Sequence, residues 1–350
     1  MGVVASLAEP SLAPVAAEHT DALSELAALL AEDLARCNRT IIERMESSVP
    51  LIPRLAAHLV AAGGKRIRPL LTIAAARMCG YPTEADPSGG RHVQLAACVE
   101  FIHTATLLHD DVVDESVLRR GLASANAVFG NQASVLVGDF LFARAFQIMV
   151  ADGSLAVLAI LSEAAATIAE GEVLQLATQN DLATPESRYL EVVHGKTAAL
   201  FAAACQVGAV LAGRPAAEEQ ALAAYGCNLG MAYQLADDAL DYAAEQSALG
   251  KAVGDDFREG KVTLPVLLAF AAGDAAERSF WRRTIEQRVQ GPDDLPRAIA
   301  LVERSGAIAA TIARAAEFSR AAQRALDVFA ASHLHARLAA VADFAVSRSR

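Results

Sequence analysis

The sequence predicts an all-α protein, an expectation that rests on three observations. Apolar residues recur at three- and four-residue spacing through 22–36, 92–109, 133–149, 155–178, 190–211, 218–242 and 263–272, which is the period of one helix face. Strand-like alternation is almost absent. Alanine and leucine dominate while aromatics make up only 5%, and that balance favours helices over sheets.

Taken in order, residues 1–20 hold no basic start, no sustained apolar run and no arginine. They match neither a secretory signal nor a transit peptide and are expected to form a disordered leader. The run 22–36 opens the helical part. Gly63-Gly64 breaks the pattern and leads into the basic stretch Lys65-Arg66-Ile67-Arg68-Pro69. The runs 92–109 and 218–242 are long, apolar and end in aspartates. Between them, 197–213 is uncharged from Lys196 to Arg214. It is short for a membrane span and interrupted by Gln206 and Gly208, so it reads as a buried helix in a thick bundle. Residues after about 275 are expected to pack as peripheral helices. The breakers at 81–90, 213–215, 250–260 and 291–296 are too short for domain linkers. The expected layout is a single all-α domain over 21–350 without a transmembrane segment.

Composition narrows the function. With 54% apolar and 20% charged residues, the 350-residue chain buries a large core. A net charge of −11 makes it a poor general binder of nucleic acid. An anion would need a local basic cluster or a metal. Five cysteines without C-x-x-C spacing read as reduced core residues of a cytoplasmic protein.

The acidic motif D-D-x-x-D occurs twice, as Asp110-Asp111 with Asp114 and as Asp237-Asp238 with Asp241. In a helix, positions i and i+4 share a face about 6 Å apart along the axis. Asp110 therefore stacks with Asp114, and Asp237 with Asp241. Like charges so placed repel, and oxygen donors without histidine or cysteine suit Mg²⁺ better than zinc. One such motif alone could be a solvated helix end; two copies leaving apolar helices point to a metal site.

Cations accompany the acids. The glycines before Lys65 and Arg68 allow backbone to approach a ligand closely, and arginine grips phosphate oxygens bidentately. Arg119-Arg120 follow the first motif, and Lys196-Thr197, Lys251 and Lys261 stand near turns or helix ends. His103 lies two helical turns before Asp110; read alone, it is a core histidine. Carboxylates, metal and cations together describe a diphosphate site.

The set G-G-K-R-I-R-P, L-L-H-D-D-V-V-D-E-S, R-R-G, G-K-T, Y-Q-L-A-D-D-A-L-D-Y and G-D-D-F-R-E-G-K resembles, in content and order, the trans-polyprenyl diphosphate synthases over about 25–345. The chain is most similar to bacterial long-chain enzymes with octaprenyl to decaprenyl products for ubiquinone side chains. The resemblance implies the isoprenoid synthase fold, an antiparallel helix bundle around a deep central cavity. It implies two or three Mg²⁺ ions held by Asp110, Asp114, Asp237 and Asp241, with Asp238 supporting, and counts all six aspartates, Asp111 included, and Lys196 as catalytic. Isopentenyl diphosphate would bind Lys65, Arg68, His103 and Arg120. The allylic diphosphate would bind Arg119, Lys196, Thr197, Gln234 and Lys251, with Lys261 nearby. A homodimer is implied, with a product suited to hand-over to a membrane. Ala105 and Thr106, small residues one turn below Asp110, imply an open chain-length tunnel. Phe146 and Met149 are candidates for its floor, or ordinary core.

Two other readings differ in class. A non-catalytic partner subunit of a hetero-oligomeric synthase would lose site residues that are present here. A terpene cyclase would have no use for the second basic cluster at 63–69. A medium- or short-chain synthase remains the alternative within the same chemistry.

Overall fold

The helix order explains how residues more than a hundred positions apart reach one pocket. The computed structural model describes residues 21–61, 63–82, 90–119, 121–243 and 254–347; the expected leader, Arg120 and Lys251 lie outside them. The helices are α1 (Ala22–Leu29), α2 (Ala31–Arg44), α3 (Leu51–Ala61), α4 (Ile67–Met78), α5 (Arg91–Val113), α6 (Ala125–Phe129), α7 (Asn131–Asp152), α8 (Leu155–Thr178) and α9 (Glu186–Val193). They continue with α10 (Ala199–Leu211), α11 (Ala216–Leu240), α12 (Asp255–Glu259), α13 (Leu264–Ala272), α14 (Ala275–Trp281), α15 (Asp294–Arg304), α16 (Ala307–Ala325) and α17 (His333–Ser347). The all-α expectation holds. The departure is a two-residue hairpin, Leu118–Arg119 against Leu122–Ala123, turned at Gly121 with φ 78°.

The main core packs α2, α4, α5, α7, α8, α10 and α11 through Leu70, Leu95, Phe101, Leu161, Phe201 and Tyr225. Helices α4, α5 and α10 carry little amphipathic contrast because they are buried on most sides. Residues 197–213 are the membrane candidate of the sequence. They lie largely within α10, whose Leu200, Phe201, Cys205 and Val207 are all at most 1% exposed. A different helix, α7, is long and apolar enough to cross a membrane. It packs along α5 instead and leaves Leu136, Phe146 and Val150 outward, 67%, 47% and 69% exposed.

Of the helices after residue 275, α14 and α15 pack in a separate cluster with α13, but α16 and α17 are not peripheral. Helix α16 packs along α11, the helix that ends in the second aspartate motif. In α17, the Leu338 carbonyl accepts the buried Tyr225 hydroxyl at 2.8 Å. The sequence hides this because small alanines make the contact, and they give little hydrophobic contrast.

Candidate active site

Both aspartate motifs sit at helix C-termini. Helix α5 ends at Val113 with Asp114 as its C-cap, and α11 ends at Leu240 with Asp241 as its C-cap. The negative end of a helix dipole is the unfavourable end for a carboxylate. Each motif is therefore held against both dipole and mutual repulsion, and a cation is the natural remedy.

Lysines supply that cation here. Lys196 Nζ lies 3.7 Å from Asp110 and 2.7 Å from Glu172. Lys261 Nζ lies 3.1 Å from Asp114 and 2.5 Å from Glu259. Burial opposes the charge on Lys261, but Asp256, Asp114 and Glu259 outweigh it and push its pKa up. Burial raises the Asp110 pKa, Lys196 opposes the rise and Asp114 adds to it.

The second motif is tied down from three sides. Tyr189 Oη donates to Asp238 at 2.6 Å, Gln234 Nε2 donates to the other oxygen at 2.8 Å, and Thr197 Oγ1 donates to Gln234 at 2.9 Å. Asp238 is 4% exposed, so these bonds fix it as a support rather than an open ligand position. Burial raises its pKa, helped by Asp256, against the hydrogen bonds from Tyr189 and Gln234. Asp241 accepts from the backbone amides of Asp255 and Asp256 at 3.3 and 3.0 Å, which brings the 254–261 segment over the site. Asp111 faces away from Asp110: it is 2% exposed and takes Arg119 Nε at 2.7 Å. It orients an arginine.

Lys196 and Thr197 stand on a single π-helical turn, His194–Ala198, between α9 and α10. Such a turn adds a residue, widens the helix and is frequent at functional sites. On the opposite wall, Gly63 and Gly64 take φ 67° and 155°, and Arg66 is left-handed at φ 48°. Arg66 pairs with the buried Glu100 of α5, which steadies a conformation that is costly for a non-glycine residue. Arg68 stacks on Phe201 at 4.6 Å and Lys65 lies 5.5 Å over Phe344. Phe201 in turn neighbours Tyr233, the residue before Gln234. The basic turn thus reaches the same end of the bundle as both aspartate motifs.

Two cavities meet there. A polar one of about 130 Å³ is lined by Lys196, Thr197, Gln234, Asp238, Asp256 and Lys261. An apolar one of about 300 Å³ lies beside Asp110 and is lined by Thr106, Phe142, Ile168, Ala169 and Leu176. Thr106 lines it. Ala105 is fully buried and Met149 is 2% exposed; both belong to the main core. Phe146 does not line the cavity: it projects from the outer face of α7, 47% exposed, and Phe142, one turn earlier, lines the cavity instead. A larger cavity of about 550 Å³ between α9, α13 and α14 contains neither motif.

A hard cation fits these donors. Oxygen ligands dominate and lysine ammoniums already stand on Asp110 and Asp114. Among the described residues no three acidic, histidine or cysteine side chains form a complete metal cage. The carboxylate oxygens of the two motifs are donors of the kind Mg²⁺ takes, one or two at a time, with water and substrate phosphate completing its shell.

Asp241 gives a pH-dependent expectation. Burial and Asp256 raise its pKa to about 7, against an unfolded value near 4. The folded state therefore holds more protons between the two values, and stability falls as pH rises through that window. The metal-free protein is expected to melt about 2–4 °C higher at pH 5.5 than at pH 8, and Asp241→Asn to flatten the difference. Calorimetry across that range checks it; an unchanged slope in the variant would refute the assignment.

The site residues that the sequence did not single out are Glu172, Tyr189, Asp256, Glu100, Phe201 and Phe344. Glu172 carried a signal, an acid following a glycine in an apolar helix. The aromatics carried none, since their value depends on which arginine or lysine they meet.

Comparison with known proteins gives a consistent result. The polyprenyl synthetase family model matches residues 49–302. Octaprenyl diphosphate synthase of Escherichia coli is 48% identical over 328 residues, 94% of this chain and 99% of that protein. A polyprenyl synthase from Caulobacter crescentus, crystallised with calcium and isoprenyl diphosphate, superposes with a TM-score of 0.89 at 53% identity. It covers 94% of this chain and 98% of its own. A decaprenyl diphosphate synthase from Rhodobacter capsulatus gives 0.88 at 51% identity, with 94% and 99% covered.

Proposed function

The chain belongs to the polyprenyl synthetase family, and on that premise we propose that it is a prenyltransferase building long all-trans polyprenyl diphosphates by repeated addition of isopentenyl diphosphate to an allylic diphosphate. The observation that carries this reading is the pair of adjoining cavities, one lined by Asp110 and Asp114 and the other by Asp238, with Lys196 and Lys261 of the second reaching Asp110 and Asp114 of the first and a separate basic turn beside them. One diphosphate would lie on the aspartates with Lys196 and Lys261. A second would lie on Lys65 and Arg68. Two diphosphates bound together mean chain elongation rather than hydrolysis or cyclisation.

Bound magnesium, held by Asp110, Asp114, Asp237 and Asp241, would neutralise the diphosphate leaving group. Lys196, Arg119 and Lys261 add fixed positive charge aimed at the same oxygens. The allylic C1–O bond breaks and its electron pair leaves with diphosphate. The double bond of isopentenyl diphosphate then bonds to C1, and a proton passes to the departing diphosphate, restoring a double bond. Gln234 and Thr197, locked to Asp238, keep dipoles beside the reacting carbon without supplying a nucleophile. The apolar cavity beside Asp110 receives the growing chain and excludes water.

The reading places the product at C40–C50, the length of a ubiquinone side chain, between the octaprenyl and decaprenyl relatives. Magnesium is the working ion, and the five unpaired cysteines, four of them buried, suit a reducing cytoplasm. The test is incubation with farnesyl diphosphate, labelled isopentenyl diphosphate and Mg²⁺, followed by sizing of products. Folded protein that yields no elongated product overturns the reading.

We also infer a homodimer through α7 and the start of α8, which present Leu136, Phe146, Val150 and Leu155 to the outside. Large apolar side chains left exposed together on one helix face point to an interface. Leu136→Glu is expected to shift most of the protein to monomer at micromolar concentration in sedimentation velocity. A monomeric wild type would refute the assignment.

A further inference from the structure

Neither aspartate motif contains Glu172, yet the structure builds it into the site. Helix α8 crosses the π-helical turn at Gly171 and Gly195. A Cβ on Gly171 would lie 2.7 Å from the Lys196 amide nitrogen, and one on Gly195 would lie 2.8 Å from the Gly171 Cα. Only glycines permit so close a backbone crossing. Glu172 and Lys196 are the residues immediately after these glycines. Their side chains therefore leave a fixed point of contact, and the carboxylate meets the ammonium at 2.7 Å. The second Glu172 oxygen is buried and has no hydrogen-bond partner.

The position of the pair is as telling as its geometry. Glu172 lines the apolar cavity with Thr106 and Phe142, whereas Lys196 lines the polar pocket with Thr197 and Gln234. An allylic diphosphate that fills both spaces has its C1–O bond at this boundary.

We propose that Glu172 is a positioning residue that holds the Lys196 ammonium at the breaking C1–O bond; this inference rests on the elongation reading above. Lysine is a flexible point charge, and a carboxylate fixed on a neighbouring helix pre-organises it. Asp110, the more distant carboxylate on Lys196 at 3.7 Å, would be engaged by a bound metal, which leaves Glu172 at 2.7 Å as the lysine's own partner. The role belongs to the transition state more than to substrate binding.

The test is a double-mutant cycle with Glu172→Ala, Lys196→Ala and the double variant, alongside Glu172→Gln, assayed with farnesyl and isopentenyl diphosphates. Glu172→Ala is expected to lower kcat by about 10–100-fold, with both KM values within about three-fold of wild type. Its affinity for an unreactive farnesyl thiolodiphosphate should be unchanged. Glu172→Gln, which keeps a hydrogen-bond acceptor, should recover part of the loss. The double variant should be no slower than Lys196→Ala, because removing Glu172 costs nothing once the lysine is gone. Multiplying effects in the double variant, a wild-type kcat in Glu172→Ala, or a loss confined to KM would each overturn the proposal. If Glu172→Ala fails to fold, the near-isosteric Glu172→Gln decides by the same cycle. Absence of elongation by the wild-type enzyme would instead overturn the functional reading, and the inference with it.

Discussion

Asp110→Asn is expected to reduce elongation by at least about 10³-fold, the scale of losing one pre-organised electrostatic contact or more, while raising the melting temperature of the metal-free protein. The two effects have one cause. Asp110 sits in the last turn of α5, its side chain 14% exposed, with burial and Asp114 both working against its charge. The amide fits the same space and removes a carboxylate from the unfavourable end of a helix dipole. The fold gains because the charge was a burden; the reaction loses because the charge is what holds the metal and, through it, the diphosphate. A structural aspartate would behave in the opposite way, since removing half of a stabilising ion pair costs stability. Steady-state kinetics and calorimetry on the same preparation distinguish the cases. A destabilised variant that keeps more than about a tenth of its activity would remove Asp110 from the metal site, because one order of magnitude is only 1.4 kcal/mol.

The opposed signs reflect how much of this site is legible in sequence. The aspartates could be named because their type is rare in apolar helical runs and their spacing is helical, and Lys65, Arg68 and Lys196 because cations stand near breakers of the helical pattern in an acidic chain; the roles of Thr197 and Gln234 came only with the family resemblance. The all-α fold was legible for the same reason, through long runs with a 3.6-residue period. What the sequence hides is orientation. Asp111 and Asp110 are adjacent, but they turn to different partners, Arg119 and Lys196. Phe142 and Phe146 are one turn apart on α7, and a few tens of degrees of rotation put the first in the cavity and the second outside. Lys65 meets Phe344 from the far end of the chain, a pairing that no local pattern encodes. The crossing of Gly171 and Gly195 is likewise invisible until both backbones are placed. Residue type announces the chemistry, whereas tertiary contact decides which of two neighbours performs it.

Thr106→Phe is expected to shorten the product made from farnesyl diphosphate from the C40–C50 range to roughly C20–C25, because a bulky side chain in a packed cavity blocks the space below it. Thr106 lines the apolar cavity one helical turn below Asp110, and its hydroxyl donates to the His103 carbonyl at 2.7 Å. The side chain is thereby pinned to its own helix. A phenyl ring grown from that Cβ enters a space of about 300 Å³ immediately below the reacting end of the chain. Elongation must then stop once the tail reaches the ring. The chemistry above it is untouched, so the first condensation should proceed within a few-fold of the wild-type rate. Ala105→Phe supplies the contrast. Ala105 is fully buried in the main core, where an added ring meets packed neighbours and costs about 1–3 kcal/mol in strain. It should lower the melting temperature as well as affect length, whereas Thr106→Phe should affect length with little loss of stability. Chromatographic sizing of products from both variants, with melting temperatures measured in parallel, reads both quantities. Full-length product from a folded Thr106→Phe enzyme would mean that the growing chain leaves the site by another route, and the cavity beside Asp110 would lose its assigned role.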